Sequence, residues 1–379
     1  MIGKLLRIFG ATSALCTLFA ASPMAAPIET AADKAILIES ETGTVLLEKA
    51  ADDPVPPASI SKLMTVYLVF EKLKHGEIKP DDTLPVSEKA WRMQGSKMFV
   101  HVGDRVRVDD LLRGVIIQSG NDACIVLAEG IAGSEEAFAD QMTQSAHEIG
   151  LTHSSFKNAT GWPDPGHLMS VRDIATLSQH IITDFPDFYP LFSETEFTYN
   201  NIKQGNRNPL LYKNMGVDGL KTGHTDEAGY NLAASAMRNG RRLILVVHGL
   251  HDVNERSQES ERLIEWGFRE FDTATVARAG QAIETAPVWL GTAAEVPLTV
   301  ASDVKLTLPR SARRKLTAAV RFEGPLPAPI HKGDGVATLH IEAEGMPPMD
   351  IPLVAAADVQ RLGIMGRVAA NLRYLMIGS

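Results

Sequence analysis

With 379 residues, 45% of them hydrophobic, and only two cysteines, the chain can bury the cores of two domains without disulfides or metals to hold them. Its 37 Lys and Arg against 46 Asp and Glu give a formal net charge of −9. No basic run stands out, which argues against nucleic acid as a partner.

Residues 1–26 carry Lys4 and Arg7, then an apolar stretch from about Ile8 to Ala20, then small residues from Ala21 to Ala26. This order reads as a cleaved export signal. The alternative is an uncleaved anchor, although the stretch is shorter than the roughly 20 residues a spanning helix needs. Leu15 before Cys16 makes a poor lipid-attachment box. Without the signal Cys124 is the single cysteine, so no internal disulfide can form, and the surface becomes more acidic with the loss of Lys4 and Arg7. Export to a bacterial periplasm fits both.

Ala35 to Ser40 and Thr44 to Lys49 are apolar runs joined by Glu41-Thr42-Gly43, and predict a hairpin. The turn Pro54 to Pro57 breaks it. From Ile60 to about Lys74 the chain is apolar on every face until Gly76, the pattern of a buried helix with Ser59 at its N-terminus. Further helices are predicted at Val108 to Ile117, Asp122 to Glu129, Ser134 to Ile149 and Val171 to Ile182. Strands return at Gly216 to Thr222, Gly229 to Ala236 and Arg241 to Leu250, the last two meeting at the hairpin signal Asn239-Gly240. Strands at both ends therefore enclose a helical middle, which predicts an α/β (α+β) domain over 27–275 with an antiparallel sheet.

After about Thr275, short alternating runs at Val304 to Leu308, Ala318 to Phe322 and Val336 to Ile341, separated by Pro and Gly, predict a small β-sandwich domain over 276–357. In 358–379, placed at 100° per residue, Leu362, Ile364, Met365, Val368, Leu372, Leu375 and Met376 share one face. That is an amphipathic helix, suited to lie in a membrane interface with Arg361, Arg367 and Arg373 against anionic lipid. A helix docked on its own domain is the alternative.

Three strings carry the chemistry: Ser59-Ile60-Ser61-Lys62, Ser119-Gly120-Asn121 and Lys221-Thr222-Gly223. Each alone has a plain structural reading, as helix cap, turn or surface strand; the ordered set points to an acyl-enzyme serine site. On a helix Ser59 and Lys62 share a face. Lys62 serves as a base only when neutral, which requires burial or a second cation, for which Lys221 is a candidate. Ser119 can shuttle a proton and Asn121 can hold a carbonyl. Gly223 leaves room for a substrate lying along its strand. His248 and His251, with Asp252 and Glu255 nearby, match no metal-site signature, so neither metal nor cofactor is expected. Cys124 is expected to be a small buried residue.

At these residues the chain resembles the low-molecular-mass penicillin-binding proteins of the serine D-alanyl-D-alanine carboxypeptidase type. The likeness extends through Pro57 to Lys62, Ser119 to Ala123, Asp218 to Thr225 and Gly229-Tyr230-Asn231-Leu232. It implies a penicillin-binding, β-lactamase-like transpeptidase fold, a small β domain and a terminal anchor helix, in a protein attached to the outer face of the bacterial inner membrane. It implies Ser59 as nucleophile, Lys62 as its base, and Ser119 with Lys221 as the proton path to the leaving D-alanine. Backbone N–H groups of Ser59 and His224 would hold the oxyanion, Asn121 the substrate amide, and Arg207, Arg256 and Thr222 the terminal carboxylate. The partners implied are peptidoglycan stem peptides, with β-lactams as covalent inhibitors. Asn158-Ala159-Thr160-Gly161-Trp162 occupies the region where class A β-lactamases carry their Glu-x-x-x-Asn loop, so slow β-lactam turnover is expected. Two readings stand beside this one: an endopeptidase acting on cross-links, and a non-catalytic cell-wall scaffold.

Overall fold

The computed structural model describes residues 28–343 and 348–377, and the export signal read in 1–26 lies outside them. Two compact units divide between Arg269 and Glu270. The division precedes the change of texture after Thr275, because strand Phe271–Ala277 pairs antiparallel with Val304–Pro309 of the second unit.

The first unit is built on a five-stranded antiparallel sheet. Its strands are β1 (Lys34–Glu39), β2 (Val45–Lys49), β3 (Val217–Thr225), β4 (Gly229–Arg238) and β5 (Arg241–Leu250), in the order β2-β1-β5-β4-β3. The expected hairpins at both ends of the chain segment thus close on each other, with Ile36 opposite Val246 in the β1/β5 register. Asn239 and Gly240 both take positive φ, 50° and 79°, as a two-residue turn matched to strand twist requires.

The sheet is buried on both faces, and alternation divides its side chains between two cores. Ile36, Ala233, Ile244 and Val246 face the helical region. Ala35, Leu37, Leu232 and Leu245 face Leu263 and Ile264. The helical region contains α1 (Lys62–Lys74), α2 (Val108–Ile116), α3 (Asn121–Ala132), α4 (Glu135–Glu148) and α5 (Val171–Asp184), while α6 (Val253–Glu270) covers the other side. Ser134 and Ser170 cap α4 and α5, accepting from the N–H groups of Ala137 and Asp173. Every residue of α1 from Lys62 to Phe70 is buried, as its all-round apolar sequence predicts.

The sequence reading did not anticipate α6. Asp252 accepts from the N–H groups of Asn254 and Glu255, and the Glu255 carboxylate accepts from His251 N–H. The carboxylates weighed as metal ligands are therefore a reciprocal helix cap. His248 points elsewhere, its Nε2 3.0 Å from the carbonyl of Pro56.

The second unit holds a six-stranded sheet with strands in the order Thr317–Arg321, Gly335–Glu342, Met349–Ala355, Glu295–Thr299, Glu284–Trp289 and Leu326–Pro327, together with the Phe271–Ala277 pair. Ala286, Val296, Leu298, Leu306, Leu339 and Leu353 fill its core. It ends in α7 (Ile364–Ile377), on which Ile364, Met365, Leu375 and Met376 are each at least 74% exposed. No helix among the described residues is long and apolar enough to cross a membrane.

Candidate active site

Ser59 lies not in an α-helix but in a 3₁₀ turn, Ala58–Ser61, that runs into α1 at Lys62. Ala58 has φ +49°, a left-handed backbone that a non-glycine residue adopts at a cost and only where its surroundings hold it. Those surroundings are tight. A Cβ added to Gly161 would lie 2.0 Å from the Ala58 carbonyl oxygen, and one added to Gly223 would lie 2.9 Å from that of Pro57. The absence of a side chain at Gly223 thus also lets β3 pack against the turn that carries Ser59.

Lys62 is fully buried, and its Nζ donates to Ser59 Oγ at 2.9 Å and to the Thr160 carbonyl at 2.5 Å. Burial lowers its pKa from 10.5 to about 8, and the Arg207 guanidinium pushes the same way. Lys62 and Lys221 are both buried, and as like charges each disfavours the charged form of the other. Lys221 is itself pushed well below the ordinary range, by burial first and then by the charges of Lys62 and Arg207. It donates to the Thr222 carbonyl at 3.3 Å.

Thr160 brings a backbone carbonyl to Lys62 because Asn158 shapes its loop. The Asn158 Oδ1 accepts from the N–H groups of Thr160, Gly161 and Trp162 and from the Thr160 hydroxyl, between 2.8 and 3.1 Å. The same loop gives the Ala159 carbonyl to Thr65 Oγ1. Neither role has a side-chain motif from which it could be read.

Ser119 has φ +61° and a buried hydroxyl with no hydrogen-bond partner among the described residues, leaving that hydroxyl free to take a proton and give one. Asn121 opens α3 and donates its side-chain N–H to the Gln94 carbonyl at 2.8 Å. Beside it the buried Asp122 accepts from the N–H groups of Met98, Phe99 and Val100. That anchors the strip containing Ser96, whose hydroxyl accepts from Arg207 Nη1 at 2.5 Å. Asp122 was legible only as part of a string; its work is to hold the wall that carries Arg207's partner. Cys124 is fully buried, and burial pushes its thiol up to about 12.

On β3 the His224 ring packs 3.9 Å from that of Tyr230, and the Arg256 guanidinium sits 5.7 Å from the Tyr230 ring centre. Arg256 comes from the first turn of α6, is buried, and leaves its Nε without a partner among the described residues. Ser59, Gly95, Ser96, Asn121, Thr160, Trp162, His224, Thr225, Asp226 and Glu227 line one cleft of about 450 Å³. The electrostatic character of the interior is unusual. Among the described residues Lys62, Lys221, Arg207 and Arg256 form no ion pair with any carboxylate, yet Arg207 lowers the pKa of each of the other three. Lys62, Lys221 and Arg256 are buried and Arg207 is exposed; a buried charge without a counterion leaves room for an anionic ligand.

Residues 20–251 match the model of the D-alanyl-D-alanine carboxypeptidase family, and 271–361 that of the penicillin-binding protein 5 C-terminal domain. D-alanyl-D-alanine carboxypeptidase DacC of Escherichia coli is 41% identical, over 96% of this chain and 94% of its own. The crystal structure of penicillin binding protein 5 from Haemophilus influenzae superposes with a TM-score of 0.80 at 37% identity, covering 89% of this chain and all of that one. Penicillin-Binding Protein D2 from Listeria monocytogenes, in its ampicillin-bound form, matches with a TM-score of 0.59 at 31% identity, over 64% of this chain and 98% of its own.

Proposed function

The chain belongs to the D-alanyl-D-alanine carboxypeptidase family and is a serine hydrolase of the penicillin-binding kind; from that premise we propose how its own residues carry the reaction. Ser59 Oγ attacks the carbonyl carbon between the two terminal D-alanines of a peptidoglycan stem peptide while neutral Lys62 Nζ, 2.9 Å away, takes its proton. The N–H groups of Ser59 and His224 receive the oxyanion. As the C–N bond breaks, Ser119 and Lys221 relay a proton to the departing D-alanine, and water then hydrolyses the ester to free Ser59. A β-lactam is opened by the same attack, but its amine stays attached to the acyl group.

The observation that carries this reading is the set of unpaired cations beside a serine held by a buried lysine. A substrate ending in a carboxylate supplies the missing charge, at Arg207, Arg256 and Thr222, with Asn121 on the substrate amide. The test offers the purified protein two substrates: a peptide ending in D-alanyl-D-alanine, and a cross-linked muropeptide dimer. Free D-alanine from the first is the expected product. Monomers released from the second, without D-alanine from the first, would reassign the enzyme to cross-link cleavage; neither product, with no labelling by a fluorescent penicillin, would leave a scaffold.

Residues 1–26 are proposed as the export signal that delivers the protein to the periplasm, and α7 as its attachment to the inner-membrane surface. The exposed Ile364, Met365, Val368, Leu372, Leu375 and Met376 support this, since so much exposed apolar surface on one helix suits an interface. Deleting residues 361–379 should move the protein from the membrane fraction to the soluble periplasmic fraction; retention on membranes after that deletion would discard the anchor.

A further inference from the structure

The loop that follows α4 does more than supply the Thr160 carbonyl. Its two ends run alongside the segment that carries the nucleophile: Met169 and Val55 exchange backbone hydrogen bonds just before that turn, and Gly161 presses on Ala58 within it. A third link involves His167. This residue is 2% exposed, and its Nε2 lies 2.7 Å from Ser61 Oγ.

Two observations give that contact a direction and a purpose. The Nδ1 of His167 accepts from the Lys157 N–H at 3.2 Å, so Nδ1 is bare and the proton resides on Nε2, which donates to the serine hydroxyl. Burial pushes the imidazole down to about 4, so it stays neutral at neutral pH. Ser61, for its part, occupies the N-cap position of α1 but makes no side-chain cap bond. A serine there ordinarily spends its hydroxyl on an N–H of the first helical turn; this one is turned away toward the histidine. Ser61 lies between Ser59 and Lys62, so fixing its hydroxyl fixes the short turn on which the nucleophile and the base must meet.

We propose that His167 is a positioning residue for acylation: through Ser61 it holds the Ala58–Ser61 turn in the strained geometry that aims Ser59 Oγ at Lys62 Nζ. It touches neither the substrate nor the reacting atoms. The proposal rests on Ser59 being the nucleophile, and its experiment separates the two ideas.

The experiment follows the full chain's reaction with a fluorescent penicillin by stopped flow, resolving the non-covalent dissociation constant from the first-order acylation rate. The variants are His167→Leu, His167→Gln and Ser61→Ala, each with its melting temperature. His167→Leu should slow acylation on the order of tenfold to a hundredfold, the range expected for small misplacement of reacting groups, and leave the non-covalent constant within about twofold, since Asn121 and Thr222 are untouched. His167→Gln, whose amide N–H can reach the same hydroxyl, should recover most of the rate. Ser61→Ala should slow acylation like His167→Leu, and combining the two should add nothing further. Should His167→Leu fail to fold, Ser61→Ala and His167→Gln still decide the matter. Unchanged acylation in Ser61→Ala, or a glutamine variant no faster than the leucine one, would overturn the proposal while leaving Ser59 in place. A parent protein that forms no covalent adduct would instead remove the premise.

Discussion

Replacing Ser59 with Ala should abolish D-alanine release and covalent labelling by penicillin together. The substitution removes one oxygen from a turn fixed on several sides by Gly161, Gly223 and Met169, so the fold and cleft should persist. Without the oxygen no acyl-enzyme can form, and the loss should reach at least about a thousandfold, the scale seen when the nucleophile of such a catalytic unit is removed. The measurement is D-alanine release beside a mass shift on β-lactam exposure, with a melting curve as control. A variant that still gains the mass of the drug on another side chain would show that the nucleophile has been misassigned.

A Lys62→Met variant should be equally silent in acylation, yet melt no lower than the parent at neutral pH. Lys62 is completely buried, and its pKa near 8 against an ordinary 10.5 reports the expense of keeping its charge out of water. At about 1.4 kcal/mol per unit, that burden is on the order of 3 kcal/mol when the side chain is charged. The sign follows from proton binding. Between pH 8 and 10.5 the unfolded chain binds the proton and the folded chain does not, so the group's contribution to stability rises with pH across that window, and its full burden falls below it. Methionine fills similar space with nothing to desolvate. Against this stands the Thr160 carbonyl, which loses its donor, worth about 1 to 3 kcal/mol if left dry. The melting difference between variant and parent should therefore favour the variant most at neutral pH and shrink toward pH 10. In the parent, acylation should rise with pH through about 8 as Lys62 becomes neutral. A variant far less stable than the parent would mean that the lysine's hydrogen bonds outweigh its desolvation.

Much of the site could be read from residue order because its chemistry resides in side chains at short spacings. Ser59 and Lys62 are joined by a hydrogen bond in the structure, although across a 3₁₀ turn rather than along the one α-helical face their spacing suggested. The hairpin at Asn239-Gly240 and the antiparallel sheet were likewise visible, since turn chemistry and alternation are local signals. Asn158 and Thr160 were not, because a backbone carbonyl has no signature and its direction depends on how a loop is folded. Helix α6 escaped because only its later half turns apolar residues inward, at Leu263 and Ile264, while Asp252 and Glu255 drew attention as possible ligands. The capping pair was nevertheless readable there: an aspartate followed three residues later by a glutamate is a helix-start pattern. Gly223 was noticed for its place beside a substrate; that its smallness also admits Pro57 and Ile60 is revealed only by the packing of the turn on β3.

The pairing of β1 with β5 makes assembly an all-or-nothing event in time. Ser59 and Lys62 leave the ribosome early, but the central position of the sheet between β1 and β4 stays vacant until residues 241–250 have been made. Contacts so distant in sequence form slowly, because a long chain must close before any pairing rewards it. A nascent or prematurely ended chain therefore carries the nucleophile without the wall of Lys221 to His224 that would put it to use. This long-range closure delays activity until the whole catalytic unit has arrived.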